Sequence, residues 1–270
     1  MEANEFTLMQ KLINCASNNS GDNVFGDIAY FLLLHFNNID GLTVPDLADA
    51  CFTSQSTIRR FCNSLGYNSL KHLKIAKAGN PESQMEIAIN NAQEKRFSAK
   101  YMQLQINSLL YDIARSVDRI QLDTIMSIVM NNQNLLLLAI RPYALWLKEF
   151  QSQMLFIGKP TYIVDDLENY EKLFQRIEKN YSCIVVSPTG GIAGTVSRHI
   201  GSLNCRKVLI ICKEYYSSEI LGDSFQVYDH VLKLKINNSD INYLELFGKY
   251  GIAYLFDLLF GNIVKQQFLE

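Results

Sequence analysis

Two short stretches of this 270-residue sequence carry polar groups at spacings suited to binding chemistry. The first is Ser54-Gln55-Ser56-Thr57-Ile58-Arg59-Arg60, where hydroxyls, an amide and two guanidinium groups crowd the start of a helical pattern. Amides and guanidiniums can bond base edges bidentately, and hydroxyls serve any base. The second is Ser187-Pro188-Thr189-Gly190-Gly191-Ile192-Ala193-Gly194-Thr195, two hydroxyls followed by glycines and a helix start. A turn of this kind lets backbone N–H groups and a helix dipole face an anion. It has neither the Gly-Lys-Ser/Thr of a Walker A loop nor the G-x-G-x-x-G of a dinucleotide fingerprint. Close helix–strand packing is the alternative use of such glycines.

The first stretch needs a pair of helices to position it. Pro45 and Asp46 suit a helix N-terminus, and Leu47, Ala48 and Cys51 form its small inward face. Ser54 suits the N-cap of the next helix. Ile58, Phe61, Cys62 and Leu65 share one apolar stripe, which leaves Gln55, Ser56, Arg59 and part of Arg60 facing outward. Gly66 ends the helix. This is the layout of a helix-turn-helix, whose second helix enters the DNA major groove N-terminus first. Gln55, Ser56 and Arg59 are the expected base readers, with Thr57 and Arg60 shared between phosphates and packing. No acidic residue lies between Asp49 and Glu82, whereas Arg59, Arg60, Lys71, Lys74 and Lys77 do. Lys71 and Lys74, about a helical turn apart, are expected on phosphates. A small helical bundle with a solvated basic face is the alternative.

The net charge of -2 confines any polyanion binding to such a local face. No apolar run approaches the ~18 residues that span a bilayer, and the N-terminus lacks the pattern of a signal peptide. A cytoplasmic protein with no membrane partner is expected. Cys15, Cys51, Cys62, Cys183, Cys205 and Cys212 show no C-x-x-C spacing, so structural thiols are expected, with no metal and no cofactor.

Three segments follow. Residues 1–79 hold the helix-turn-helix and its supporting helices. Residues 80–130 form a helical linker that opens at Asn80-Pro81-Glu82 and carries Met102, Ile106, Leu109, Ile113, Val117 and Ile120 as a stripe, with a break near Ser98 or Asp118. Residues 131–270 alternate apolar runs and helices. Strands are expected at Asn134–Ile140, Thr161–Val164, Ser182–Ser187, Lys207–Cys212 and Val227–Leu234. Helices are expected between them, including Asp166–Lys179, and a closing one over Ile241–Phe260. Near-continuous apolar strands separated by helices mean a doubly wound, five-stranded parallel sheet covered on both faces. The fold class is mixed: an all-α N-terminal part and linker, then an α/β domain.

Ser54, Thr57, Arg60-Phe61 and Leu65-Gly66-Tyr67, with the basic helix that follows, resemble the N-terminal domain of RpiR-family bacterial transcription regulators. The order of parts resembles that family over essentially the whole chain. The resemblance implies double-stranded DNA as partner, with Tyr67 joining the DNA-binding residues. It also implies a C-terminal SIS (sugar isomerase) domain that dimerises, or forms a higher even oligomer, and senses a phosphosugar or related metabolite. Ser187-Pro188-Thr189-Gly190 matches the family's Ser-x-Ser/Thr-Gly loop after strand three, and Ser187, Thr189, Gly190, Gly191 and Thr195 are the ligand-binding residues this implies. After strand one the family has a Gly-x-Gly-x-Ser turn, and here the stretch reads Ala139-Ile140-Arg141-Pro142-Tyr143-Ala144. Arg141 could supply a guanidinium to an anion, and Tyr143 could fill the pocket instead. An altered ligand, or a domain used only for dimerisation, stays open. A sugar-phosphate isomerase would need a positioned general base. His199, His230 and Glu245 sit in no recognisable catalytic setting, so no catalytic residue is assigned.

Overall fold

Contacts divide the chain into two units, Met1–Glu94 and Lys95–Glu270. The computed structural model describes residues 3–17, 24–77, 89, 92–94, 96, 98–139, 143–165, 180–212, 222–236 and 246–269. The expected cap at Asn80-Pro81-Glu82, the helix Asp166–Lys179, Arg141 and Glu245 lie outside the described residues.

The first unit is helical. Helices α1 (Ala3–Ser17) and α2 (Val24–Leu34) lead through a 3-10 turn (Phe36–Gly41) to α3 (Val44–Ala50), α4 (Gln55–Ser64) and α5 (Leu70–Lys77). Leu8 and Leu12 of α1, Ile28 and Leu32 of α2, Leu47 of α3, and Leu70 and Leu73 of α5 enclose Ile58, Phe61 and Cys62 of α4 in one core. Phe25 meets Phe61 edge-on, with ring centroids 5.7 Å apart. The stripe read from the sequence therefore anchors α4 by one face.

In the second unit, α6 (Ala99–Ser116) and α7 (Arg119–Met130) precede strand β1 (Asn134–Ala139). Short helices α8 (Tyr143–Trp146) and α9 (Lys148–Phe156) lead to β2 (Thr161–Val164). Strand β3 (Tyr181–Val186), α10 (Gly191–Ile200), β4 (Arg206–Cys212), a 3-10 turn (Gly222–Val227) and β5 (His230–Leu234) follow. A π-helical turn (Phe247–Gly251) runs into the closing α11 (Ile252–Phe268). The five strands are all parallel, in the order β2-β1-β3-β4-β5.

Strand residues alternate between two cores. Leu135, Leu137, Ile184, Val186, Val208 and Ile210 pack with α6, α7, α9 and α11, while Leu136, Leu138, Cys183, Val185, Leu209 and Ile211 pack with Ala193, Val196 and Ile200 of α10. The segment assigned to a linker thus does more than connect. Leu109, Ile113 and Val117 are buried in the first of these cores, and Asp118 begins a new helix as an N-cap, accepting the Gln121 N–H at 2.8 Å. Ile120, beyond that break, is 76% exposed.

The strand order reverses direction at β1 and β3. In open α/β sheets the crevice beyond the carboxyl ends at such a point is the usual ligand position. Ala139 pairs with Val186 there, so β1 and β3 end side by side.

Candidate nucleic-acid interface and anion loop

Helix α3 starts at a capping box: the Thr43 hydroxyl accepts the Asp46 N–H at 3.3 Å, and the Asp46 carboxylate accepts the Thr43 N–H at 2.8 Å. The Thr43 hydroxyl, which donates to the Asp46 carboxylate at 2.6 Å, and then the Thr43 N–H hold that carboxyl below the ordinary carboxylate range. The helix is capped at Cys51, and Phe52 follows with φ 49° and 98% exposure. Helix α4 then starts at Ser54, whose Oγ accepts the Thr57 N–H at 3.1 Å. The same oxygen lies 2.7 Å from the Ser56 hydroxyl and 2.9 Å from that of Thr57. Ser54 and Thr57 therefore set the helix end. Gln55, Ser56, Arg59 and Arg60 are exposed beyond it, whereas Thr57 is half-buried.

The far end of α4 is also tied down. Gly66 takes φ 87°, a conformation that costs glycine nothing, and lets the Tyr67 N–H reach back to the Cys62 carbonyl at 2.9 Å. The Lys11 ammonium donates to the Leu65 carbonyl at 3.0 Å and lies 4.9 Å from the centre of the Tyr67 ring. Tyr67 packs half-buried against the core, and this cation holds its ring at the C-terminal end of α4.

The basic helix α5 divides its lysines. Lys77, grouped with the others in the sequence, is 5% exposed and bonds the Asp40 carboxylate at 2.8 Å and the Asn37 carbonyl at 2.9 Å. Lys74 donates to the Asp40 carbonyl at 2.8 Å. Both cations thus fasten α5 to the 3-10 turn, and Lys71 is the exposed one of the three.

The second stretch sits where the sheet topology directs a ligand. Ser187 follows β3 and is 2% exposed; its N–H bonds the Ile210 carbonyl at 3.0 Å, and its Oγ accepts the Ala193 N–H at 3.2 Å. The Gly190 N–H closes a turn onto the Ser187 carbonyl at 2.8 Å, and Gly190 takes φ 82°, which glycine alone adopts without strain. The Pro188 carbonyl accepts the Cys212 N–H at 2.9 Å, stapling the loop to β4. Thr189 is exposed, its Oγ1 3.7 Å from where a Cβ on Gly191 would lie. Ser187 therefore shapes the loop, and Thr189 is the hydroxyl on its outer side. Thr195 is in the first turns of α10.

Tyr143 packs closely on Gly248. A Cβ on Gly248 would come within 2.9 Å of its Cε1, so the ring lies flush against the π-helical turn. Gly248 is small where Tyr143 is large. At the opposite, amino end of the sheet, a cleft of about 420 Å³ is lined by Ile120, Asp123, Thr124, Ser127, Ile128, Arg206 and Asp229.

The thiols fit structural roles. Burial pushes Cys62 up to about 11 and raises Cys15, Cys51, Cys183 and Cys205 as well, so these stay protonated at neutral pH. Among the described residues no disulfide joins two of the cysteines. Among the described residues no helix is long and apolar enough to cross a membrane.

Residues 23–83 match the model of the helix-turn-helix domain, rpiR family. No curated protein matches the sequence. Among solved structures, the Vibrio vulnificus NanR protein complexed with ManNAc-6P is 15% identical with a TM-score of 0.49, covering 96% of this chain and 92% of its own. The E. coli CFT073 protein c3406, in a phosphosugar complex, is 10% identical with a TM-score of 0.51, covering 62% of this chain and 90% of its own. The sugar isomerase domain of an RpiR transcription factor from Sphaerobacter thermophilus is 10% identical with a TM-score of 0.47, over 64% of this chain and 92% of its own. The chain thus matches the rpiR-family helix-turn-helix domain at residues 23–83, and a five-stranded, all-parallel α/β unit follows it.

Proposed function

We propose that this chain is a sequence-specific DNA-binding transcriptional regulator whose SIS-like unit senses a phosphosugar or related anionic metabolite. The observation that carries the reading is α4: a capped helix, locked to its core by Ile58, Phe61 and Cys62, with Gln55, Ser56, Arg59 and Arg60 exposed at its leading end. A rigid helix that leads with an amide and guanidiniums suits direct readout in the major groove. The half-sites of a dimer lie about 34–36 Å apart, so a homodimer or higher even oligomer is the working assembly. A cytoplasmic location goes with this role.

For the second unit the support is the loop position. Ser187–Thr195 lies at the carboxyl end of β3, at the reversal of strand order, and leads into the N-terminus of α10. Thr189, the Gly190–Gly191 backbone, Thr195 and Arg141 are the proposed ligand-binding groups. The E. coli protein that shares this fold holds a phosphosugar. No catalysis is proposed for this loop. A second reading, dimerisation alone, is favoured by the Ser187 hydroxyl and the Gly190 N–H being bonded within the loop.

Selection of duplexes from a random pool by the full-length chain tests the DNA reading. Enrichment of one motif, with affinity falling steeply as salt rises, is the expected result. No enrichment at low salt would refute it. A thermal-shift screen against phosphorylated sugars and amino sugars tests the sensor. A ligand at about a hundred times its dissociation constant should stabilise by about 2.7 kcal/mol, and a flat screen would leave dimerisation as the role of the unit.

A further inference from the structure

Helices α3, α4 and α9 end in the same way. The residue after each C-cap turns left-handed, its N–H bonds a carbonyl of the last turn, and the next N–H reaches one residue further back. After α4 that residue is Gly66, with Gly66 N–H to the Asn63 carbonyl at 3.0 Å and Tyr67 N–H to Cys62 at 2.9 Å. After α9 it is Gly158, with its N–H to Leu155 at 3.0 Å and Lys159 N–H to Met154 at 2.9 Å. After α3 it is Phe52, with its N–H to Asp49 at 3.2 Å and Thr53 N–H to Ala48 at 2.8 Å.

Glycine is favoured at this position because a Cβ crowds the neighbouring carbonyl oxygen in the left-handed region. Phe52 has that disadvantage and gains no packing in return. At 98% exposure it is the most exposed large apolar side chain among the described residues. Folding alone therefore gives no reason for phenylalanine here. The ring stands two residues ahead of Ser54, on the connection that feeds the leading end of α4.

We propose that Phe52 is a DNA-contacting residue, its ring closing on apolar atoms of the groove beside the bases that α4 reads. The inference rests on the major-groove reading of α4. A phenyl ring has no hydrogen bond to offer and no charge, so its partners are a thymine C5-methyl group or the carbon face of a deoxyribose. The methyl group is the apolar feature of the major-groove edge, and phenylalanine is among the side chains that contact it. Its contribution releases no counterions, unlike that of Arg59 or Lys71.

The test uses the full-length chain and the duplex that the wild-type protein enriches. Phe52→Gly should hold or raise the melting temperature and weaken binding about tenfold, with the salt slope unchanged. Phe52→Leu should keep most of the affinity. Opposite signs for stability and affinity are what a merely structural ring would not give. Replacing thymines by deoxyuridine separates the two sources: a loss in wild type that Phe52→Gly does not show assigns the methyl group, and no loss assigns the sugar. The proposal falls if Phe52→Gly binds within about twofold of wild type while Arg59→Ala loses affinity. That outcome keeps the DNA reading and points the ring toward a protein partner. It also falls if Phe52→Gly lowers melting temperature and affinity together. A chain that enriches no duplex overturns both this proposal and the reading beneath it.

Discussion

Helices α4 and α10 each have a serine hydroxyl bonded to their first turn, and they leave different chemistry over once that serine is satisfied. Before α4, the exposed Ser54 caps Thr57, and the side chains next in line are Gln55, Ser56, Arg59 and Arg60. Before α10, the buried Ser187 accepts the Ala193 N–H from inside the loop, and the Thr189 hydroxyl remains outside, beside the glycines. In both places the hydroxyl is structural. What differs is the remainder. Long directional side chains on a rigid helix can distinguish bases, whereas glycine backbone at a helix start recognises an anion of almost any kind. The contrast separates a surface suited to specificity from one suited to a generic charged group.

The largest way to break this contrast is to remove the platform under α4. Phe61 is fully buried in the helical core, and Phe61→Ala should cost about 3–5 kcal/mol. Urea unfolding of the full chain should show an early transition from the first unit and leave that of the α/β unit in place. A single transition, shifted as one, would mean the units do not unfold independently.

Arg59→Ala should act on recognition and leave folding alone. We expect a loss of about 1–3 kcal/mol in binding the selected duplex, with relaxed preference at one base position. Unchanged selectivity would remove Arg59 from the base readers.

The two serines should cost stability by different routes. Ser187→Ala leaves the Ala193 N–H without its partner in a buried site, a loss of about 1–3 kcal/mol. Ser54→Ala removes an exposed cap, at about 1 kcal/mol. Thr189→Val, by contrast, should leave the melting temperature unchanged and abolish any phosphosugar-induced shift. Equal destabilisation by all three would erase the distinction between shaping and binding hydroxyls at the loop.

The smallest effect belongs to α5. Lys71→Ala should weaken binding evenly across sequences and lower the salt slope by about one. Lys77→Ala should destabilise the first unit, because it leaves its Asp40 bond and its buried position empty. If Lys71→Ala altered sequence preference, α5 would have to lie nearer the bases than we place it.

Much of the architecture was legible in local pattern. The stripe Ile58, Phe61, Cys62 and Leu65 specified which face of α4 turns inward, because helical period depends only on neighbours along the chain. The strands were equally plain. Continuous apolar runs such as Leu135–Leu138 signal burial on both faces, which only a covered parallel sheet provides. Ser54 as an N-cap and Gly66 as a terminator could be read because caps are local bonds.

What the sequence could not decide depended on partners far along the chain. Nothing in the even spacing of Lys71, Lys74 and Lys77 says that two of them fasten to the 3-10 turn through Asp40, more than thirty positions earlier. The inward turn of Ser187 depends on the loop being pinned to β4 by the Ile210 and Cys212 bonds. Likewise Leu109, Ile113 and Val117 read equally well as a linker stripe, and only the packing of the α/β unit placed them in its core. Phe52 is the sharpest case: its letter suggests a core residue, and the helix end it occupies leaves it wholly in solvent. Periodicity and capping are written in near neighbours, so the sequence determined the elements and their faces. Charge pairing, hydroxyl direction and exposure depend on distant groups brought together, so the tertiary structure decided which side chains remained available to a partner.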